Sequence, residues 1–224
     1  MAKPKPSAST PFAGRWRIVA LVCALLGMAG LTPMGVASAA YVSTNPPAYN
    51  NATSVDPSSL GHVTLLDANG NDVVSGSLSN LGGAIYAVAS NTARSGATTA
   101  QLLVAAPSST TPSTTWATQT LSASTSFPVS ASGSVPSAVS SATTPTVTLN
   151  GVSDGDLTTF LKSATLDTTA GYSGYLQLRV IDSGGGLSAA TTWATTEIAV
   201  DANAGTWQQV YPVPAPVAVS VSAP

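Results

Sequence analysis

The stretch Gly171–Val210 constrains this chain more than any other part of it. It reads GYSGYLQLRVID, SGGGLSAA, TTWATTEIAVD and ANAGTWQQV. Leu176, Leu178 and Val180 alternate with Gln177 and Arg179, the two-residue period of a strand with one face on a core and the other in water. Thr191–Val200 and Thr206–Tyr211 repeat the pattern, and the glycine run Gly184–Gly186 supplies a permissive turn. Three strands in succession therefore close an antiparallel sheet here. Arg179, the only glutamate (Glu197) and two of the four tryptophans fall inside this scaffold.

The first forty residues read as a different kind of sequence. Lys3, Lys5, Arg15 and Arg17 precede the apolar run Ile18–Leu31, and Ala37-Ser38-Ala39 follows it. A basic n-region, a short h-region and a small-x-small site make a secretory signal peptide over residues 1–39, cleaved after Ala39 or Ala40. At 14 residues the run is shorter than the ~20 needed to cross a bilayer, so no membrane span is expected after cleavage. Cys23 does not sit in a lipoprotein context, and Arg15-Trp16-Arg17 is not a twin-arginine pair.

Cleavage removes four of the seven basic residues and none of the nine acidic ones, leaving a net charge of −6. Arg94, Lys162 and Arg179 are too few and too scattered to line a phosphate backbone, which argues against nucleic-acid binding. It also removes the only cysteine, so a core without disulfides must hold the exported domain. About 185 residues suit one sandwich-sized domain. With charged residues at 7% and Ser, Thr, Ala and Gly abundant, the composition is that of an extracellular β-protein.

Residues 40–60, rich in Asn, Pro and Ser, read as an extended leader, residues 61–212 as the domain, and residues 213–224 as a Pro-rich tail. His62–Leu66 and Asp72–Ser75 flank Asp67–Asn71, an Asn-Gly hairpin signal. Asp67, Asn69 and Asn71 match the first ligands of a calcium loop, but Asp72 and Leu78 stand where glycine and glutamate belong, so a turn is expected. Gly83–Ser90 is apolar on both faces and reads as a central strand. Thr98–Ala106, Trp116–Ala123 and Thr146–Leu149 are further strands. Arg94 reads as a surface group, solvated or carboxylate-paired, and the 124–144 segment as a solvated linker-like loop, with an ordered binding loop as the alternative. Ser153–Ala164 is the single helix expected, capped by Ser153, with Leu157, Phe160, Leu161 and Ala164 on one face. The whole is an all-β antiparallel sandwich of about seven to nine strands with one short helix.

No catalytic, cofactor or metal residues are expected. His62 is the only histidine, no Gly-x-Ser-x-Gly elbow exists, and zinc lacks ligands. A hydrolase would need Glu197 to face an Asp across an open cleft. Trp116, Tyr172, Trp193 and Trp207 are the candidate ligand-stacking residues. The competing assignment puts aromatics in the core, favoured for Trp193 and Trp207, which lie inside strand-like runs.

The segments HVTLLDANGNDVVSGS, IYAVASNTARSGATTAQLLVA, GYSGYLQLRV and AGTWQQVYP resemble single-module secreted or cell-surface proteins of actinobacteria. The resemblance spans His62 to Pro212 and implies an immunoglobulin-like fold and an exported location. It implies no catalytic residues. Cell-surface structural, adhesion or interaction work is then the expected function, with a surface protein or a glycan as partner. A carbohydrate- or cell-wall-binding domain is the alternative, and an extracellular hydrolase comes third.

Overall fold

The computed structural model describes residues 46–50, 55–130, 134–151 and 153–214. The expected signal peptide and its cleavage site lie outside them, as do residues 215–224 of the tail. Among the described residues no helix is long and apolar enough to cross a membrane.

The fold is all-β and sandwich-like, as expected. Its ten strands are β1 (Ser59–Leu66), β2 (Ser75–Ser77), β3 (Tyr86–Ala89), β4 (Thr99–Ala106), β5 (Ala117–Thr120), β6 (Thr125–Ser126), β7 (Thr146–Thr148), β8 (Tyr175–Ser183), β9 (Trp193–Asp201) and β10 (Thr206–Tyr211). The order β5-β4-β8-β9-β1-β3-β7 runs through both layers, with β6 beside β4 and β10 between β9 and β2. The stretch Gly171–Val210 forms the antiparallel run β8-β9-β10.

Strand β1 joins the layers. Its first half pairs with β9 in parallel, His62 opposite Thr195, and its second half pairs antiparallel with β3, Val63 opposite Ala89. The register slips between Ser59 and Gly61. A Cβ at Gly61 would stand 2.6 Å from Ser90 Oγ and 3.0 Å from the Asn91 amide nitrogen, so only glycine lets the chain cross that closely. The sheet is therefore mixed, not wholly antiparallel, because β1 and β10 share one edge of β9.

The main core forms where the layers face each other. Val63, Leu65, Ala87, Leu102, Val104, Val147, Leu176, Leu178 and Ile198 meet there, and Trp207 lies among them with no exposed surface. At ~25 cal/mol per Å² of apolar surface removed from water, this contiguous cluster carries the fold without a covalent cross-link.

Local details differ from expectation where a nearby side chain outcompetes the periodic signal. The helix, α2 (Leu157–Ser163), starts four residues late because Asp156 caps it, its Oδ1 accepting the Thr158 amide at 2.8 Å. Asp154 instead accepts the amides of Asn150 and Gly151 in the preceding turn. The 124–144 segment is not simply solvated. It contains β6 and the helical turn α1 (Ser137–Ser140), whose Val139 is fully buried against Leu66 and Tyr86. The Asp67 turn forms as expected. Asp67 accepts the Asn69 and Asn71 amides and the Asn71 side-chain amide, which together hold its carboxyl below the ordinary range. After one bridge the chain leaves β1, and β2 pairs with β10.

Candidate functional site

The site follows from the register of β8 and β9. Gln177 lies opposite Glu197 and Arg179 opposite Thr195, so alternation places these four polar side chains on one face, back to back with the leucines of the core. Water is the expected neighbour of Gln177 and Arg179. Instead Gln177 is fully buried and Arg179 is 3% exposed. A second cover lies over this face, built from residues 46–50 and 55–58 and from the 107–116 connection. The described residues of the segment read as a leader, 46–50 and 55–60, thus pack against the domain. The Ala48 amide is bonded to the Gly171 carbonyl at 3.1 Å, and a Cβ on Gly171 would stand 2.7 Å from Ala48 Cβ.

Polar groups cannot be buried without partners, and here nearly all are satisfied. Tyr49 Oη donates to Glu197 Oε2 at 2.9 Å. Asn50 Nδ2 donates to Glu197 Oε1 at 2.8 Å and to Thr195 Oγ1 at 3.1 Å. Gln177 Nε2 donates to Glu197 Oε1 at 2.9 Å and to Asp56 Oδ2 at 3.2 Å, joining the two carboxylates. Asp56 also accepts from Trp193 Nε1 at 3.2 Å, Ser113 Oγ at 2.6 Å and the Ser58 amide at 3.0 Å. Arg179 donates to Gln177 Oε1 and, at 2.9 Å, to the Ser113 carbonyl. Its guanidinium lies over the Trp193 ring at 3.9 Å and the Trp116 ring at 5.3 Å.

One buried cation faces two buried carboxyls, and desolvation outweighs its pull on Glu197. Burial pushes Glu197 up to about 7, against the pull of Asn50, Gln177, Tyr49 and Arg179. Burial lowers Arg179 to about 10, with Asp56 and Glu197 resisting, and it raises Tyr49 well above its ordinary value. Because the folded state holds the Glu197 proton more tightly than the unfolded chain does, its contribution is complete below pH ~4.5. That contribution is lost as pH rises through about 7, a fall of about 3 kcal/mol. Urea unfolding should show this loss between pH 5 and pH 8, and Glu197→Gln should flatten the profile. An unchanged slope in that variant would remove Glu197 as its source.

Above the buried layer the cover leaves an open cleft of about 330 Å³, lined by Tyr49, Val55, Asp56, Ser113, Trp116 and Tyr172 among others. The Tyr49 ring meets Trp116 edge-on at 5.0 Å and Tyr172 at 5.1 Å, tilted by 36°. Trp116 Nε1 is held by the Thr111 carbonyl at 3.0 Å. A second cleft of about 220 Å³ adjoins the first, sharing Ser108, Thr111 and Trp116 and reaching Asp167.

The structure therefore brings Trp116 and Tyr172 together, with Tyr49 between them. Trp193 and Trp207 take the buried placement favoured for them over ligand stacking. Trp193 is sealed beneath Arg179 as a donor to Asp56, and Trp207 sits in the main core donating to the Ser77 carbonyl at 3.1 Å. Neither presents a ring face to a ligand. Tyr49, Asn50, Asp56, Ser113 and Gln177 escaped the sequence reading. The available signal was the pairing of the only glutamate with a rare arginine on what became adjacent strands. Arg94 is carboxylate-paired, its Nε 2.6 Å from Asp182 Oδ1. His62 is exposed, edge-on to Tyr211 at 5.3 Å. No group of three metal-ligating side chains occurs among the described residues.

Glu197 and Asp56 do approach each other through Gln177, but not across an open cleft. Glu197 has no exposed surface, and four donors occupy Asp56. The arrangement can position a rigid aromatic and hydroxyl-bearing surface above it. No family model matches the chain, and neither a curated protein nor a solved structure matches it.

Proposed function

We propose that this protein is exported and acts as a non-enzymatic interaction module, at the cell surface or released from it, with the cleft beside Trp116 and Tyr172 as its binding face. The observation that carries this reading is the sealed Asp56–Gln177–Glu197–Arg179 layer directly under that cleft. It commits the carboxylates to holding the walls in place, which suits preorganised recognition better than proton transfer. The signal-like residues 1–39 and the resemblance to actinobacterial surface proteins support export. The low content of charged residues fits a partner recognised through rings and hydroxyls.

Retention on intact Gram-positive cells and on surface-protein extract tests it, comparing the full chain with Tyr172→Ala. Tyr172 is half-buried at the rim, so the variant should melt within a few degrees of the parent while retention falls about tenfold. No retention of the parent, or equal retention of both, would overturn the reading.

A further inference from the structure

We propose that the two clefts flanking Trp116 form one groove for a neutral glycan chain. This rests on the interaction-module reading above and names its ligand class. Three observations converge on it.

The groove has one half-buried ring, Tyr172, backed by the buried rings of Tyr49 and Trp116, and a hydroxyl rim. Tyr172 is half-buried beside Tyr49 and Trp116, and its hydroxyl has no hydrogen-bond partner among the described residues. The 108–115 connection carries Ser or Thr at seven of its eight positions. Thr111 and Thr114 are exposed, and their hydroxyls make no hydrogen bond among the described residues. A hydroxyl both donates and accepts, so such a rim matches a polyol, whose own hydroxyls do the same. The apolar C–H face of a sugar ring packs against an aromatic face in the same encounter.

The charges disfavour an anion. No Lys, Arg or His lines either cleft, while Asp167 opens onto the second one, so an anionic chain meets repulsion and no counter-charge. The Arg179 guanidinium lies over Trp116 and takes the indole face that a cation prefers, which favours a neutral ligand.

The adjacency of the clefts bears on the length. Ser108, Thr111 and Trp116 line both, so a chain of sugars can run past Trp116 from one to the other. Affinity should then rise from mono- to tri- or tetrasaccharide and level off.

The test is binding of the full chain to an array of neutral glucans, mannans, galactans and arabinans, with hyaluronan and heparin as anionic arms and surface-protein extract as a peptide arm. Hits are then titrated with oligosaccharides of increasing length. The expected result is binding to a neutral glycan, at least tenfold weaker for Tyr172→Ala and several-fold weaker for Thr111→Val, which keeps shape and loses the hydroxyl. Preference for an anionic glycan, or affinity independent of length, overturns the groove as drawn. Binding only to surface protein, lost in Tyr172→Ala, overturns the glycan while leaving the interaction module standing. No Tyr172-dependent binding in any arm overturns both.

Discussion

Arg179→Met should lower the unfolding free energy by about 3–5 kcal/mol, because it leaves Asp56 and Glu197 buried without their only cation. Methionine is long enough to lie against Trp193, so most of the loss will report charge and hydrogen bonding rather than a cavity. The Gln177 Oε1 and Ser113 carbonyl that Arg179 serves also lose their donor. The effect should be non-additive with Glu197→Gln, since neutralising one carboxyl relieves part of the stranded negative charge. A double-mutant cycle by urea unfolding at pH 7.5 should give a coupling of at least 1 kcal/mol. Additive losses would mean that Arg179 does not act through this layer.

Asp56→Ala should cost a similar ~3–5 kcal/mol for a different reason. One carboxylate satisfies the Trp193 indole, the Gln177 amide, the Ser113 hydroxyl and the Ser58 amide. Truncation takes an acceptor from all four at once, leaving Gln177 only Glu197, and the first three belong to buried residues. It also unfastens two walls of the cleft, since Ser58 belongs to the amino-terminal segment and Ser113 to the 107–116 connection. Limited proteolysis should then cut near residues 55–58 in Asp56→Ala but not in the parent. Asp56→Asn, which keeps one acceptor oxygen, should recover part of the loss. Equal protection of Asp56→Ala and parent would show that this segment is held by something other than Asp56.

Much of the scaffold was legible because period-two alternation is a local signal. Leu176, Leu178 and Val180 announced β8, Ile85–Ala89 a strand paired on both sides, and Asp67–Asn71 a turn. What alternation cannot say is what lies beyond the polar face. Gln177 and Arg179 look the same in sequence whether they meet water or a second polar layer. Their cover comes from far away in the chain: Tyr49 bonds to a residue 148 positions on, and Asp56 to Trp193 137 positions on. Residues 46–50 and 55–58 lie within a leader-like composition because docking, not propensity, places them. The same limit explains the tryptophans. An alternating run marks Trp193 as belonging to a strand, but only the register across β8 and the reach of Asp56 put Arg179 over its ring. At the helix, the competing hydrogen bonds of Asp154 with Gly151 and of Asp156 with Thr158 decide where α2 begins, a choice that Ser153 as cap does not reveal.

The central claim is that this chain's scarce charged residues form a sealed layer that docks the amino-terminal segment and shapes the cleft. Because Glu197 is the only glutamate, labelling glutamate at the carboxyl carbon gives a single glutamate side-chain carbon-13 resonance, free of overlap from any other glutamate. Its titration in the folded full chain should have a midpoint near 7, shifting toward the acid side when Tyr49→Ala opens the cover. A midpoint near the ordinary glutamate value of ~4.3 in the parent would show that burial does not dominate at Glu197 and contradict the account.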